Sequence, residues 1–146
     1  MNTHHEYMAR CYELAKQAAA EGESPVGSVV VKNGKIIGEG YEKSRQLKDV
    51  TRHAEVVALL DALKNTTDLS GATIYSNVEP CILCSYVIRH HRIAEVVFER
   101  SAGELGGTNP SFNVLTANFK TWSTPPAIIR YDSSTDSHGR DIDVAF

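Results

Sequence analysis

The sequence predicts an α/β fold of three layers, α/β/α, on one mixed five-stranded sheet. Three observations carry this. Two β-branched runs flank Asn33-Gly34 near the start of the chain, which is the strongest short-range signal for an antiparallel hairpin. Beyond residue 53, helical and strand-like patterns alternate, and strand–helix–strand crossovers pair parallel with a right hand. No internal repeat, linker or composition break interrupts the 146 residues, so 1–146 is expected to form a single domain.

Each element follows from its own pattern. Residues Tyr7 to Ala20 set Met8, Cys11, Leu14, Ala15 and Ala18 at helical spacing and stop before Gly22 and the Ser24-Pro25 turn, which predicts an amphipathic helix. The hairpin strands are Gly27 to Val31 and Ile36 to Gly38. After a polar stretch from Glu42 to Thr51, the spacing of Ala54, Val57, Ala58, Leu60 and Leu63 predicts a second helix that opens near His53 and closes near Asn65. Ala72 to Asn77 reads as a strand, Cys81 to His90 as a third helix and Ala94 to Phe98 as a strand. A Gly-rich loop from Gly103 to Pro110 then leads to a short helix over Ser111 to Phe119 and a last strand at Ala127 to Ile129. His4 and His5 are expected to precede ordered structure, and Glu39, Glu95 and Glu99 to be solvated.

Composition narrows the function classes. A chain of this length buries about 68–70% of the surface its unfolded form exposes, so a metal is not needed as a folding staple. Lys and Arg number 15 against 18 Asp and Glu, a formal charge of −3, which argues against a general binder of nucleic acid or anionic membranes but leaves room for a local basic patch. Three cysteines exclude a fully paired disulfide framework. Met1 to Glu6 is polar and no stretch approaches the roughly 18 apolar residues of a membrane span. A cytoplasmic protein is expected.

Two motifs carry chemistry: His53-Ala54-Glu55 and Pro80-Cys81-Ile82-Leu83-Cys84, each at a predicted helix start. Cysteines three apart on a first helical turn point the same way, so both thiolates reach one ion, and His53 adds a nitrogen. Three protein ligands leave the fourth position of a tetrahedral Zn²⁺ open for water, the mark of a catalytic site. Positive helix amino termini favour the thiolates. Glu55, two residues from His53, is placed to take a proton from that water and deliver it to a ring nitrogen and a leaving amine. A C-x-x-C alone also fits a redox pair, and a histidine before a helix also fits a cap; the His-x-Glu in partnership disfavours both. Cys11 falls on the apolar face of the first helix and is expected in the core.

With these motifs the chain resembles the zinc-dependent nucleoside and nucleobase deaminase superfamily, over about Tyr7 to Phe98 and more weakly to Leu115. The pieces that carry the resemblance are Ser24-Pro25-Val26-Gly27-Ser28-Val29-Val30-Val31, Gly38-Glu39-Gly40, Thr51-Arg52-His53-Ala54-Glu55 and Val78-Glu79-Pro80-Cys81-Ile82-Leu83-Cys84, then Arg92-Ile93 and Val96-Val97-Phe98. The branch with tRNA adenosine, guanine and cytosine deaminases is the most similar. The resemblance implies a cytidine deaminase-like fold, a CMP/dCMP-type deaminase domain, a homodimer and one Zn²⁺ per subunit on His53, Cys81 and Cys84, with Glu55 as the proton shuttle. It also implies substrate contacts at Val26, Gly27, the Ala54 amide and the Glu79 carbonyl.

Two departures shape the expected substrate. Glu42 stands where that branch places Asn after G-x-G-x, and an ionised Glu only accepts hydrogen bonds, which favours a ring edge rich in N–H donors; a solvent-facing Glu42 is the alternative. The carboxyl end carries Asp136, Asp141 and Asp143 against Arg140 in place of a long basic helix. The expectation drawn from these is hydrolysis of a free nucleobase or related small amino-heterocycle, purine- or guanine-like, in which activated water attacks the amino-bearing carbon and ammonia leaves. On the same grounds tRNA is an unlikely partner. Asn109 and Phe112, with Trp122 nearby, offer polar and stacking contacts, and the 133–146 tail, ending in Phe146, is expected to cover the active site. A tRNA adenosine-to-inosine deaminase and a non-catalytic zinc-stabilised binding module are the alternatives.

Overall fold

The computed structural model describes residues 4–122 and 124–135. Helix α1 (His4–Ala20) leads into strands β1 (Gly27–Lys32) and β2 (Lys35–Tyr41), followed by α2 (Ala54–Ala62), β3 (Thr73–Val78), α3 (Ile82–His90), β4 (Glu95–Arg100) and β5 (Ala127–Arg130). The sheet order is β2-β1-β3-β4-β5. Strand β1 runs antiparallel to both β2 and β3, while β3, β4 and β5 are parallel. This is the mixed five-stranded, three-layer α/β arrangement that the hairpin and the later helix–strand alternation predict.

Strand periodicity places the two cores. Val30, Ile74, Val96 and Phe98 face α2 and α3, where they meet Ala58, Leu59 and Ile88. Their neighbours Val29, Val31, Tyr75 and Val97 face α1 and pack on Met8, Cys11 and Leu14. Side chains on one strand alternate between faces, so α1 covers one side of the sheet and α2 and α3 the other. Strand β2 lies tightly under α2. A Cβ on Gly40 would stand 2.5 Å from the Ala58 amide nitrogen, so only glycine lets the strand approach the helix so closely.

The structure differs from expectation in four places. Strand β2 runs on to Tyr41, because Gly38 and Gly40 lack side chains to signal a strand yet continue its pairing with Val30 and Ser28. Helix α1 begins at His4, and His4 and His5 meet the Tyr75 and Tyr131 hydroxyls at 2.8 and 3.2 Å. Glu39 is engaged rather than solvated, gripped by Arg10 Nε and Nη2 at 2.7 and 2.9 Å, and Glu99 accepts from the Ser133 hydroxyl at 2.8 Å. The expected helix over 111–119 is a run of turns. Asn109 Oδ1 caps the Ser111 amide, and the Arg89 guanidinium takes the Val114 and Ala117 carbonyls, acceptors that a helix would need for its own ladder. Of the expected lid, only Ser133–Thr135 is described, as a 3₁₀ turn; the remainder, with Phe146, lies outside the described residues.

Candidate active site

Helices α2 and α3 start side by side at the carboxyl end of β3. His53 and Cys81 occupy the residue before each helix in extended conformation, and neither offers a side-chain oxygen as a cap. The first-turn amides therefore direct partial positive charge at the site, and the Cys84 amide bonds the Cys81 sulfur. His53 Nδ1 lies 3.4 Å from Cys81 Sγ and 3.5 Å from Cys84 Sγ, and the two sulfurs are 3.9 Å apart. Ligand bonds of about 2.3 Å for sulfur and 2.0–2.1 Å for nitrogen around a tetrahedral zinc put sulfur and nitrogen roughly 3.6 Å apart and the two sulfurs roughly 3.8 Å apart. The donor set fits zinc in both type and spacing. No fourth His, Cys, Asp or Glu joins the group among the described residues, so the closed site of a structural module is not what these residues build.

Glu55 is buried beside this group, its Oε1 3.6 Å from Cys84 Sγ and its Oε2 accepting from the Ser76 hydroxyl at 3.1 Å. Burial pushes its carboxyl up to about 7. Hydrogen bonding with Cys84, opposed by burial and reinforced by His53, holds the Cys81 thiol down at about 4, while the Cys84 thiol moves up in response to the Cys81 bond and its own burial. The bond to Cys81 raises His53 to about 9. Cys11 sits in the core under α1, where burial pushes its thiol up.

A cleft of about 200 Å³ opens over these residues. Ser24, Val26, Glu42, Val78, Glu79 and Ala102 line it together with His53, Glu55 and Cys81. Ala54, the first residue of α2, is buried between His53 and Glu55. Gly27 does not line the cleft: it faces α1, where a Cβ would stand 2.6 Å from that of Leu14. Asn109 and Phe112 do not line it either; Asn109 bonds within its own loop, and Phe112 is 59% exposed. Trp122 packs edge-on against Tyr86 and Phe119. A larger groove of about 580 Å³ lies over β2 between α1 and α2, and none of the ligating residues lines it.

Motif reading named Glu79 for its carbonyl and missed what its side chain does. The Glu79 carboxylate is buried, yet bonds from the Thr108 hydroxyl and amide (2.5 and 2.9 Å) and from the Ala102 amide (3.0 Å) outweigh burial and keep it below the usual carboxylate range. It thus ties the 101–108 loop to the strand end that carries Pro80 and Cys81. Ser76 and Asn77 were also missed. Two consecutive small polar residues ending an apolar strand were the available signal, since buried polar groups need partners.

Comparison with known proteins agrees with the geometry. The family model for the cytidine and deoxycytidylate deaminase zinc-binding region matches residues 1–100. A tRNA-specific adenosine deaminase of Aquifex aeolicus is 42% identical over 103 residues, covering 69% of this chain and 68% of that protein. One solved structure, from work on A-to-I editing by tRNA:A34 deaminases at the wobble position of transfer RNA, superposes with a TM-score of 0.79 at 26% identity, over 88% of this chain and 98% of that one. A guanine deaminase structure from Bacillus subtilis gives 0.64 at 34% identity, over 69% and 66% of the two chains.

The likenesses to tRNA adenosine deaminases overturn two expectations from sequence, a free nucleobase as substrate and tRNA as an unlikely partner. Both leaned on a net charge summed over the whole chain and on an acidic tail, whereas phosphate contact depends on where the cations sit. The chain belongs to the cytidine and deoxycytidylate deaminase zinc-binding family and is a zinc-dependent hydrolytic deaminase acting on a ring amine.

Proposed function

We propose that this chain deaminates adenosine in tRNA, converting the 6-amino group to a carbonyl with water as co-substrate and ammonia as product. The observation that carries this is the 42% identity to a tRNA-specific adenosine deaminase, in a chain whose cleft brings His53, Cys81, Cys84 and Glu55 together. His53, Cys81 and Cys84 would hold a zinc ion, whose Lewis acidity makes water nucleophilic near neutral pH. The chain's own residues do the rest. Glu55 takes one proton of the attacking water and gives it to the ring nitrogen, then passes the water's second proton to the amine, so that the carbonyl forms as the C–N bond breaks and ammonia leaves. Ser76 fixes the Glu55 carboxylate through its 3.1 Å bond. The Ala54 amide, in the first turn of α2, donates to the ring, and the Glu79 carbonyl accepts from the amine.

Glu42 belongs to the same proposal. It lines the cleft, and its carboxylate can only accept. Adenine presents acceptors at N1, N3 and N7, and its one amine lies at the reacting centre. The donor that remains on an adenosine within RNA is the ribose 2′-hydroxyl, which we assign to Glu42. Two further parts of the proposal rest on other features. Tyr86, 58% exposed, packs on Trp122 and, through it, on Phe119, leaving an aromatic face for a second copy in a homodimer. A cytoplasmic setting fits thiols that serve as ligands only while reduced; no helix among the described residues is long and apolar enough to cross a membrane.

The test is inosine formation in an anticodon stem-loop RNA with adenosine at the wobble position, measured beside ammonia release from free bases. RNA conversion is expected, with Glu55→Ala reducing it about 10²–10⁴-fold while zinc content stays at one per chain. Conversion of free bases alone would overturn the proposal.

A further inference from the structure

The ladder between β1 and β3 ends at Ser28 and Ser76. One residue beyond, a side chain takes over the pairing. Asn77 Oδ1 accepts from the Gly27 N–H at 2.8 Å, and Asn77 Nδ2 donates to the Pro25 carbonyl at 2.9 Å. Both partners have fixed polarity, so the orientation of the amide is determined. Asn77 is fully buried, and leaving either partner unbonded would carry the desolvation penalty of a buried polar group.

Val26 stands between the two residues that Asn77 holds. It lines the cleft, and its carbonyl accepts from the Glu42 N–H at 3.1 Å. The chain of contacts therefore runs from Asn77 through Pro25 and Gly27 to Val26 and on to Glu42, two residues that line the cleft with His53 and Glu55. The residues beside Asn77 at the same strand end serve the other parts of the site: Ser76 bonds Glu55, Val78 lines the cleft, and Glu79 holds Ala102.

We propose that Asn77 is a positioning residue for the deamination, holding the Val26–Glu42 wall at the spacing from Glu55 and His53 that the bound ring requires. It touches no reacting atom. A wall that drifts weakens its contacts with the bound ring, and losing an interaction shared by the bound and reacting states raises KM with little change in kcat. This inference rests on the proposed substrate only for the choice of RNA in its test.

Asn77→Ala, Asn77→Asp and Val26→Ala are compared with wild type as full-length, zinc-loaded proteins on the anticodon stem-loop. Asn77→Ala is expected to raise KM about tenfold with a smaller fall in kcat, while zinc content is retained and exchange of the Gly27 amide hydrogen accelerates. Asn77→Asp keeps the acceptor for Gly27 and loses the donor to Pro25, so its KM should fall between the two. Val26→Ala should raise KM as well, and the Asn77→Ala/Val26→Ala double variant should be worse by less than the product of the single effects. Unchanged KM in Asn77→Ala, or a fall in stability and kcat with KM constant, overturns the proposal. If Asn77→Ala does not fold, the KM values of Asn77→Asp and Val26→Ala decide in its place, and unchanged KM in both overturns the proposal. Should wild type leave the RNA unconverted, the substrate proposal fails by itself; Gly27 amide exchange, read without substrate, then decides the clamp, and unchanged protection in the Asn77 variants overturns it.

Discussion

Three carboxylates line the cleft, and they differ in what already occupies them. Glu79 is filled by Thr108, Ala102 and Ser101, and Glu55 by Ser76 and the Cys84 thiol. Among the described residues Glu42 receives the Ser44 hydroxyl alone, at 2.7 Å on Oε2, which leaves Oε1 for a ligand. If that oxygen accepts from the ribose 2′-hydroxyl, Glu42→Gln, whose amide can turn a donor to the same place, should lower kcat/KM on the all-ribose stem-loop. A hydrogen bond to a charged group contributes about 1.5–3 kcal/mol, so a loss of tenfold or more is expected. A stem-loop with 2′-deoxyadenosine at the target position should lose about as much with wild type and little further with the variant. Equal discrimination between the two RNAs by both proteins would count against the assignment. Sequence marked Glu42 through its departure from the family pattern, and the metal group through two short motifs whose spacing is local. Asn77 was not legible in the same way, because its partners lie 50 and 52 residues away and only the folded register reveals them.

At the scale of elements, the site depends on how closely α2 is seated, since the amino end of that helix carries His53 and Glu55. Gly38 and Gly40 of β2 set that seat: a Cβ on Gly38 would stand 2.6 Å from the Ala62 nitrogen, and one on Gly40 2.5 Å from the Ala58 nitrogen. The obstacle is helix backbone, which cannot swing aside as a side chain can. Gly40→Ala should therefore push α2 outward and destabilise the protein by about 1–3 kcal/mol, the usual range for overpacking. Urea unfolding measures this, and a midpoint unchanged at constant m-value would show that the helix accommodates the methyl. The helices and strands themselves were mostly legible, because the short apolar runs of β1, β3 and β4 and the 3.6 spacing in α1 and α2 are intrinsic to each segment. The exception at 111–119 is instructive: nothing in that segment reports that Arg89, on a different element, claims two of its carbonyls.

For the whole molecule, the formal charge of −3 misleads because it averages over regions that do different work. The segment 43–52, between β2 and the metal-ligating His53, carries Lys43, Arg45, Lys48 and Arg52 against the single carboxylate of Asp49. Arg45 and Lys48 are exposed and Lys43 is half-exposed, and the segment begins beside Glu42 at the lip of the cleft. That is a local cationic band next in sequence to Glu42 and His53, and the proposed tRNA substrate makes it the first place to test for phosphate contact. Counterion release makes each phosphate contact visible as salt dependence, with log K against log salt falling by about 0.7 per contact on a single strand. Replacing Lys43, Arg45 and Lys48 together by Gln should weaken stem-loop binding at low salt and flatten that slope by up to about 2 if all three meet phosphate. Binding isotherms from low to physiological salt give the slope directly. An unchanged slope would place the RNA backbone elsewhere on the surface, while a flattened one would show that a protein with a net negative charge holds its nucleic acid through one loop.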